Sequence, residues 1–166
     1  MPTSSGVGKS EIKQWFDDQG DIKTIVDFGC GEGTYVKLLG KDKYRWVGID
    51  IWEDYVKRYD LNNLYDEIII GDIRDVKLPE GDCAIFGDIL EHMTKDDVVS
   101  LLGKVSSFYK HIVISLPINY TRQTDAFMGN EYEKHLAIWD FEEFSKLLTE
   151  DFKVRKLIKY MGIFIK

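Results

Sequence analysis

Residues 25–35, IVDFGCGEGTY, contain the pattern that decides the fold of this chain. A short apolar run carries Asp27 near its end and leads into three glycines at alternate positions, Gly29, Gly31 and Gly33. The run predicts a buried strand, and the glycines predict a tight turn into a helix. Glycine lets the backbone approach a ligand closely, and a helix N-terminus offers unpaired N–H donors. The stretch therefore predicts a site for a nucleotide-like cofactor.

The next three predicted strands also run into an acid. Residues 44–50, 67–70 and 83–87 are apolar runs that lead to Asp50, Asp72 and Asp88. Asp50 lies 21 residues after Gly29, near the distance at which an acid meets ribose hydroxyls in nucleotide-binding α/β units. The alternative for Asp50 is that it caps the helix that follows.

This order of acids and glycines resembles the class I S-adenosylmethionine-dependent methyltransferases, from about residue 23 to residue 166. The resemblance implies an α/β fold, a single-domain Rossmann-like methyltransferase sandwich with helices on both faces. Its sheet would be mostly parallel and seven-stranded, in the order 3-2-1-4-5-7-6, with the last strand antiparallel.

The resemblance also implies that the methyl donor is S-adenosylmethionine, which becomes S-adenosylhomocysteine, and that different residues bind its different parts. The implied cofactor-binding residues are Asp27, Gly29, Gly31 and Gly33 for the methionine end, Asp50 and Ile51 for the ribose, Asp72 and Ile73 for the adenine, and Asp88 beside the transferred methyl group. A nicotinamide-binding Rossmann enzyme remains a competitor. Its G-x-G-x-x-G/A pattern would place a glycine or alanine where Thr34 stands.

Length and composition bear on the number of domains, the possible partners and the cellular compartment. The 166 residues suffice for one domain, which we expect at 10–166 after a mobile tail at 1–9. A net charge of −7 argues weakly against tight binding of a phosphate backbone. No apolar run approaches the roughly 20 residues of a membrane span, so no membrane partner is expected. Two cysteines without a disulfide framework favour the cytoplasm, and the sequence leaves the oligomeric state open.

The residues after the fourth strand carry candidate chemistry. Asp88, Glu91 and His92 are spaced i, i+3, i+4 and would share one face of a helical turn. With His135, from the long polar segment 118–138, they would form a divalent metal site for an ion such as Mg²⁺ or Mn²⁺. The set resembles two metal-dependent branches of the family, the small-RNA terminal 2′-O-methyltransferases and the ubiquinone-pathway O-methyltransferases. Asp88 stands where those branches usually have Glu.

Other interpretations of the same residues stay open. Asp88 and Glu91 also form a capping box, and His92 or His135 could accept a proton without any metal. The predicted catalytic residues are thus Glu91, His92 and His135. The (D/N)-P-P-(Y/F) motif of enzymes that methylate nitrogen is absent. We therefore expect transfer to an oxygen of a small molecule. The alternatives are a metal-dependent methyltransferase acting on an RNA end and a non-catalytic cofactor-binding module.

Overall fold

The computed structural model describes residues 4–120, 126–127 and 129–166. Residues 1–3 of the predicted tail, and residues 121–125 and 128 of the segment 118–138, lie outside this range. Within it the strands are β1 (Thr24–Phe28), β2 (Arg45–Asp50), β3 (Glu67–Ile70), β4 (Cys83–Gly87), β5 (His111–Pro117), β6 (Val154–Ile158) and β7 (Met161–Ile165). The α-helices of the described part are α1 (Lys9–Asp17), α2 (Thr34–Leu39), α3 (Asp54–Arg58), α4 (Lys95–Phe108) and α5 (Phe141–Leu147).

The strands form one sheet in the order β3-β2-β1-β4-β5-β7-β6. The strands β1 to β5 pair in parallel, and β7 runs antiparallel to both β5 and β6. This confirms the predicted order and the mostly parallel sheet. In the register, Asp27 lies between Gly48 of β2 and Ile85 of β4. The carboxyl ends of these three strands therefore open into one crevice, at the point where the strand order reverses.

Side chains that alternate along the strands pack into two apolar cores, one on each face of the sheet. Ile25 faces a core closed by α1, α2 and α3, whereas Val26 and Phe28 face a core closed by α4 and α5. The helices contribute buried side chains to one core each, Ile12, Phe16, Val36 and Tyr55 to the first and Val98, Leu101, Leu102 and Phe144 to the second. Because the sheet is apolar on both faces, it needs the helix layer on each side that the resemblance implied.

Local sequence signals explain where the helices begin. Thr94 accepts a hydrogen bond from the backbone of Asp97 at 3.2 Å, and Asp140 accepts from Glu142 and Glu143 at 2.9 and 3.1 Å. These side chains satisfy N–H groups that have no partner within the helix. The ring of Trp139 packs 5.1 Å from that of Phe144 as a hydrophobic staple. The caps fix the start of α4 and α5.

The first helix, α1, begins at Lys9, inside the predicted tail at 1–9. Its cap position is Gly8, whose φ is +80°. A Cβ atom on Gly8 would lie 2.8 Å from the side chain of Ile163, so the bend brings α1 against β7. No helix in the described ranges combines the length and apolar character that a bilayer span requires.

Candidate functional site

The predicted cofactor residues surround one cleft at the carboxyl ends of β1, β2 and β4. Its empty space, with the open mouth, is about 1130 Å³. The predicted residues that line it are Asp27, Gly29, Gly31, Asp50, Ile51, Asp72, Ile73, Asp88 and His92. Gly33, Glu91 and His135 lie outside the lining. Gly33 is the cap of α2 at φ +78°, where a Cβ atom would lie 2.9 Å from Leu64.

The glycine turn forms the floor of the cleft. Gly29 and Gly31 have φ values of +71° and +51°, in the region that glycine enters at little cost. The amides of Gly29 and Cys30 donate to the carbonyl of Ile49 at 2.9 and 3.0 Å, which ties the turn to β2. A Cβ atom on Gly29 would lie 2.6 Å from the side chain of Ile89. The turn thus leaves no room for a side chain at this position.

Two backbone amides hold the carboxylate of Asp50. Its Oδ2 accepts from the amide of Gly31 at 2.9 Å, and its Oδ1 accepts from the amide of Trp52 at 2.9 Å. The first contact ties the acid to the glycine turn. The second closes a turn in the loop before α3, and the predicted helix cap at Asp50 is wrong because the cap position of α3 is Glu53. Burial raises the pKa of Asp50. Each carboxylate oxygen keeps a further acceptor position for a hydroxyl group in the cleft.

Asp27 is buried beneath the floor with a mixed set of neighbours. The hydroxyl of Tyr65 donates to its Oδ2 at 2.7 Å. Burial raises the pKa of Asp27 to about 7, against the lowering effects of the Tyr65 hydrogen bond and the Lys9 charge. A carboxyl group with this pKa changes its charge near neutral pH.

Lys9 is a buried cation beside the cleft that the sequence analysis did not single out. Its ammonium is buried and donates at 2.5 Å to both the Ser4 hydroxyl and the Tyr35 hydroxyl. Burial lowers the pKa of Lys9 to about 8, while the charges of Asp88, Asp27 and Glu91 oppose that shift. Lys9 is therefore a cation set among the acids of the site.

Asp72 carries a partner that the sequence pattern did not indicate. The guanidinium of Arg74 spans its carboxylate, with Nε 2.9 Å from Oδ1 and Nη2 2.5 Å from Oδ2. These hydrogen bonds hold the pKa of Asp72 below its usual value. Nη1 of Arg74 also reaches Asp97 at 3.1 Å. Arg74 itself lines the cleft, so this end of the cleft presents an ion pair.

Asp88 departs from the expected helical face. It has φ +52°, and the 3-10 helix begins only afterwards, at Leu90–His92. Its Oδ2 accepts from the Ser4 hydroxyl and the Ser5 amide, each at 2.5 Å. Residues of the expected tail thus meet Asp88 in the cleft, and Asp88 does not join the other predicted metal ligands.

Glu91, His92 and His135 do come together. One ligand atom from each lies within 4.8 Å of the other two, and the two imidazole rings are 4.8 Å apart at 86°. Glu91 Oε2 is buried and has no hydrogen-bond partner among the described residues. Burial raises the pKa of Glu91 well above its usual value. A carboxylate and two imidazoles with an unpartnered buried oxygen fit a divalent cation by donor chemistry.

The tautomer of His92 follows from its neighbour. Its Nδ1 lies 3.1 Å from the carbonyl oxygen of Lys134. A carbonyl only accepts, so Nδ1 carries the hydrogen and Nε2 keeps a lone pair. Burial lowers the pKa of His92 to about 4, so the ring is neutral at pH 7. Nε2 is then available as a base or as a metal ligand.

The segment after β5 is hydrogen-bonded to the cluster of Glu91, His92 and His135. The amides of Leu136 and Ala137 donate to the carbonyl of Glu91 at 2.8 and 3.0 Å. Further along the cleft, the hydroxyl of Tyr55 donates to Glu133 at 2.7 Å and accepts from Asn130 at 3.1 Å. The only sequence signal for these contacts is the length of the segment 118–138, which gives neither partner nor register.

Comparison with known proteins identifies related sequences and folds. Residues 25–111, more than half of the chain, match a family model described as a methyltransferase domain. No curated protein matches the chain.

Similar solved structures cover nearly the whole chain. A SAM-dependent methyltransferase from Archaeoglobus fulgidus has 22% identity and a TM-score of 0.65, over 89% of this chain and 69% of that one. Magnesium protoporphyrin IX methyltransferase from Synechocystis, with bound SAM, has 15% identity and a TM-score of 0.69, over 95% and 76%. The mitomycin 7-O-methyltransferase has 18% identity and a TM-score of 0.66 over 96% of this chain, which spans only 53% of it. At these identities the likeness concerns the fold.

Proposed function

Because this chain belongs to the methyltransferase domain family, we propose that it transfers the methyl group of S-adenosylmethionine to an oxygen of a small molecule. The family membership confirms the predicted enzyme class and methyl donor. The observation that carries the choice of acceptor chemistry is His92, a neutral imidazole that lines the cleft with its Nε2 lone pair available.

The donor half of the cleft consists of the glycine turn with Asp27, Asp50 and Asp72. Asp27 and the turn would hold the methionine end, Asp50 and Ile51 the ribose, and Asp72 and Ile73 the adenine. The acids around the cleft are opposite in charge to the sulfonium of the donor and would attract it. All except Gly33 line one continuous space, as a single extended cofactor requires.

The acceptor half consists of residues 4–9, 88–92 and 130–137. In the reaction, an acceptor oxygen forms a bond to the methyl carbon while the carbon–sulfur bond breaks and its electron pair remains on sulfur. The hydroxyl proton passes to Nε2 of His92, and S-adenosylhomocysteine leaves. Proton removal of this kind contributes about 10²- to 10⁴-fold to a rate.

The walls of the cleft favour a small acceptor. Ser4 lines one side, and residues 130–134 line the other. Both walls are hydrogen-bonded to residues of the site, through Asp88 and through Tyr55. An acceptor must enter between them, which favours a compact molecule over a folded macromolecule.

The direct test is formation of S-adenosylhomocysteine with a panel of phenols, catechols and hydroxy acids, alongside nitrogen acceptors. We expect turnover only with oxygen acceptors. His92→Ala should lower kcat by about 10²-fold or more, because the base is removed. The matched control is His111→Ala at the start of β5. Turnover with nitrogen acceptors only, or equal rates for the two variants, would contradict the proposal.

A metal-assisted reaction is the second candidate, favoured by the grouping of Glu91, His92 and His135 with the buried Glu91 oxygen. A divalent ion there would supply Lewis acidity to the acceptor's hydroxyl groups. His135→Ala and treatment with EDTA should then abolish turnover, and Mn²⁺ should restore only the wild type. An RNA with a free 3′-terminal ribose is the probe for the macromolecular version. Full activity after chelation would contradict the metal-assisted reaction and favour His92 acting as a base without an ion.

Binding without catalysis is the remaining alternative. A cofactor-binding module would bind S-adenosylhomocysteine in a calorimeter and show no turnover with any acceptor. We place the protein in the cytoplasm, since Cys30 and Cys83 are buried free thiols, as a reducing compartment permits.

A further inference from the structure

Tyr55 stands at the contact between the donor half and the acceptor half of the cleft. It belongs to α3, the helix that follows the ribose acid Asp50, and its side chain is buried. Its hydroxyl donates to Oε1 of Glu133 at 2.7 Å and accepts from Nδ2 of Asn130 at 3.1 Å. Tyr55, Asn130 and Glu133, here called the tyrosine triad, all line the cleft.

The tyrosine triad fixes one end of an eight-residue segment, 130–137. Asn130 caps the 3-10 helix Glu131–Glu133 through its side-chain oxygen, 3.0 Å from the amide of Tyr132. Glu133 and Asn130 are both buried. A hydrogen bond to a charged, buried partner is stronger than an ordinary surface one. The start of the segment is thus anchored on the donor side.

The other end of the segment holds the catalytic candidates. The carbonyl of Lys134 receives the Nδ1 hydrogen of His92, and the amides of Leu136 and Ala137 donate to the carbonyl of Glu91. His135 lies between these two attachments and contributes its ring to the cluster. Any displacement at the tyrosine triad is therefore transmitted along a few residues of backbone to both histidines.

We infer that Tyr55 is a positioning residue that makes donor binding order the acceptor half of the cleft, so that the donor binds before the acceptor. The inference rests on the proposed function, because it requires the donor to lie against Asp50 and Tyr55. A donor in the cleft contacts the wall that Asn130 and Glu133 form, and the tyrosine triad fixes that wall to α3. The segment 130–137 then positions the His135 ring and the Lys134 carbonyl against His92. Without the triad, the donor still binds, but its binding no longer fixes the histidines.

The test uses the full chain, S-adenosylhomocysteine and the variant Tyr55→Phe, which removes one hydroxyl and keeps the ring. Tyr59→Phe is the matched control, since that ring packs 5.5 Å from the Tyr55 ring and the same atom is removed. Hydrogen exchange is measured on residues 130–137 with and without ligand. In the wild type and in Tyr59→Phe we expect the ligand to slow exchange about tenfold or more. In Tyr55→Phe we expect the slowing to fall to about twofold or less.

Histidine side-chain NMR gives a second measurement. The chain has three histidines, and His111, at the start of β5, serves as an internal reference. Ligand should shift the His92 and His135 resonances in the wild type and leave them nearly unmoved in Tyr55→Phe. Asn130→Ala, which removes the triad from the other side, should behave like Tyr55→Phe. Equal exchange slowing and equal histidine shifts in wild type and Tyr55→Phe would overturn the inference.

The outcomes separate this inference from the proposed function. If the wild type does not bind S-adenosylhomocysteine in a calorimeter, the donor assignment fails and the coupling fails with it. If the wild type binds and Tyr55→Phe responds like Tyr59→Phe, only the coupling fails. Steady-state kinetics add a further check. Tyr55→Phe should lower kcat about tenfold and change the apparent donor KM less than threefold, whereas general destabilisation would leave kcat of the folded fraction unchanged.

Discussion

The donor half and the acceptor half of the cleft are assembled in different ways. In the donor half, each acid lies in its own strand or within two residues of the strand's end, and the glycine turn that follows β1 is joined to β2 by the hydrogen bond from Gly31 to Asp50. In the acceptor half, three segments distant in sequence meet, as Ser4 meets Asp88 and the amides of Leu136 and Ala137 meet the carbonyl of Glu91. The donor half is therefore intrinsic to the sheet, whereas the acceptor half depends on how loops pack.

The difference predicts how each half responds to substitution. A change in the donor half should disturb the fold and donor binding together, because the same backbone serves both. A change in the acceptor half should alter turnover while donor binding and stability stay close to those of the wild type. Four measurements, in order of decreasing expected effect, test this distinction.

Gly29→Ala should have the largest effect. The new Cβ atom would lie 2.6 Å from Ile89 at a residue with φ +71°. Strain and overpacking together should lower the free energy of unfolding by about 2–4 kcal/mol. We expect S-adenosylhomocysteine affinity, measured by calorimetry, to fall about 100-fold or more.

Gly103→Ala is the matched control for this change. It lies in α4, where a Cβ atom would meet nothing within 4 Å. It should leave affinity unchanged and stabilise the helix by up to about 1 kcal/mol in chemical denaturation. Wild-type affinity in Gly29→Ala would show that the donor does not approach this turn.

Asp50→Asn should come second. The neutral amide accepts through one oxygen only, so either the Gly31 amide or the Trp52 amide loses its acceptor and the other keeps an uncharged one. A hydrogen bond from a ribose hydroxyl to a charged acceptor is worth about 1.5–3 kcal/mol, so donor affinity should fall about 10- to 100-fold. Asp54→Asn, in the first turn of α3, is the control. An affinity loss in the control as large as that in Asp50→Asn would remove the special role of Asp50.

The pH dependence of donor binding should come third. The pKa of Asp27 is raised to about 7, so its carboxylate becomes protonated as the pH falls below neutral. An ionised carboxylate attracts the α-ammonium group of the donor, and a protonated one does not. Affinity should therefore fall about tenfold from pH 8 to pH 6 in a calorimetric titration. Asp27→Asn should flatten this profile, and a flat wild-type profile would show that Asp27 does not meet the ammonium group.

Ser4→Ala should give the smallest effect. It removes one of two donors to Asp88 Oδ2, and the Ser5 amide still satisfies that oxygen. We expect kcat/KM for the acceptor to fall about threefold with unchanged donor affinity. The control is Ser10→Ala, which removes an exposed hydroxyl that donates to Glu11. A larger effect on donor affinity than on turnover would contradict the assignment of Ser4 to the acceptor half.

Sequence reasoning placed the glycines and acids of the proposed donor half at the strand ends, and it anticipated only part of the proposed acceptor half. The glycines and acids could be placed because continuous apolar runs and alternate glycines are local signals. It grouped Asp88 with Glu91 and His92 on one helical face, since the spacing permits that. Asp88 has a positive φ and therefore does not share a helical face with Glu91 and His92. Ser4 and Ser5 donate hydrogen bonds to its carboxylate instead. Such a turn leaves no sequence signal beyond the residues themselves.

The sequence by itself determined the sheet, its strand order through the family resemblance, and the acids and glycines at the strand ends. These features depend on residues that are neighbours in the chain, where backbone geometry is set by the residues themselves. The tertiary structure alone decided that Lys9 lies buried beside Tyr35, that Arg74 reaches Asp97, and that Tyr55 meets Glu133 across 78 positions. Side chains so far apart become partners only when the packed cores on both faces of the sheet bring their segments together.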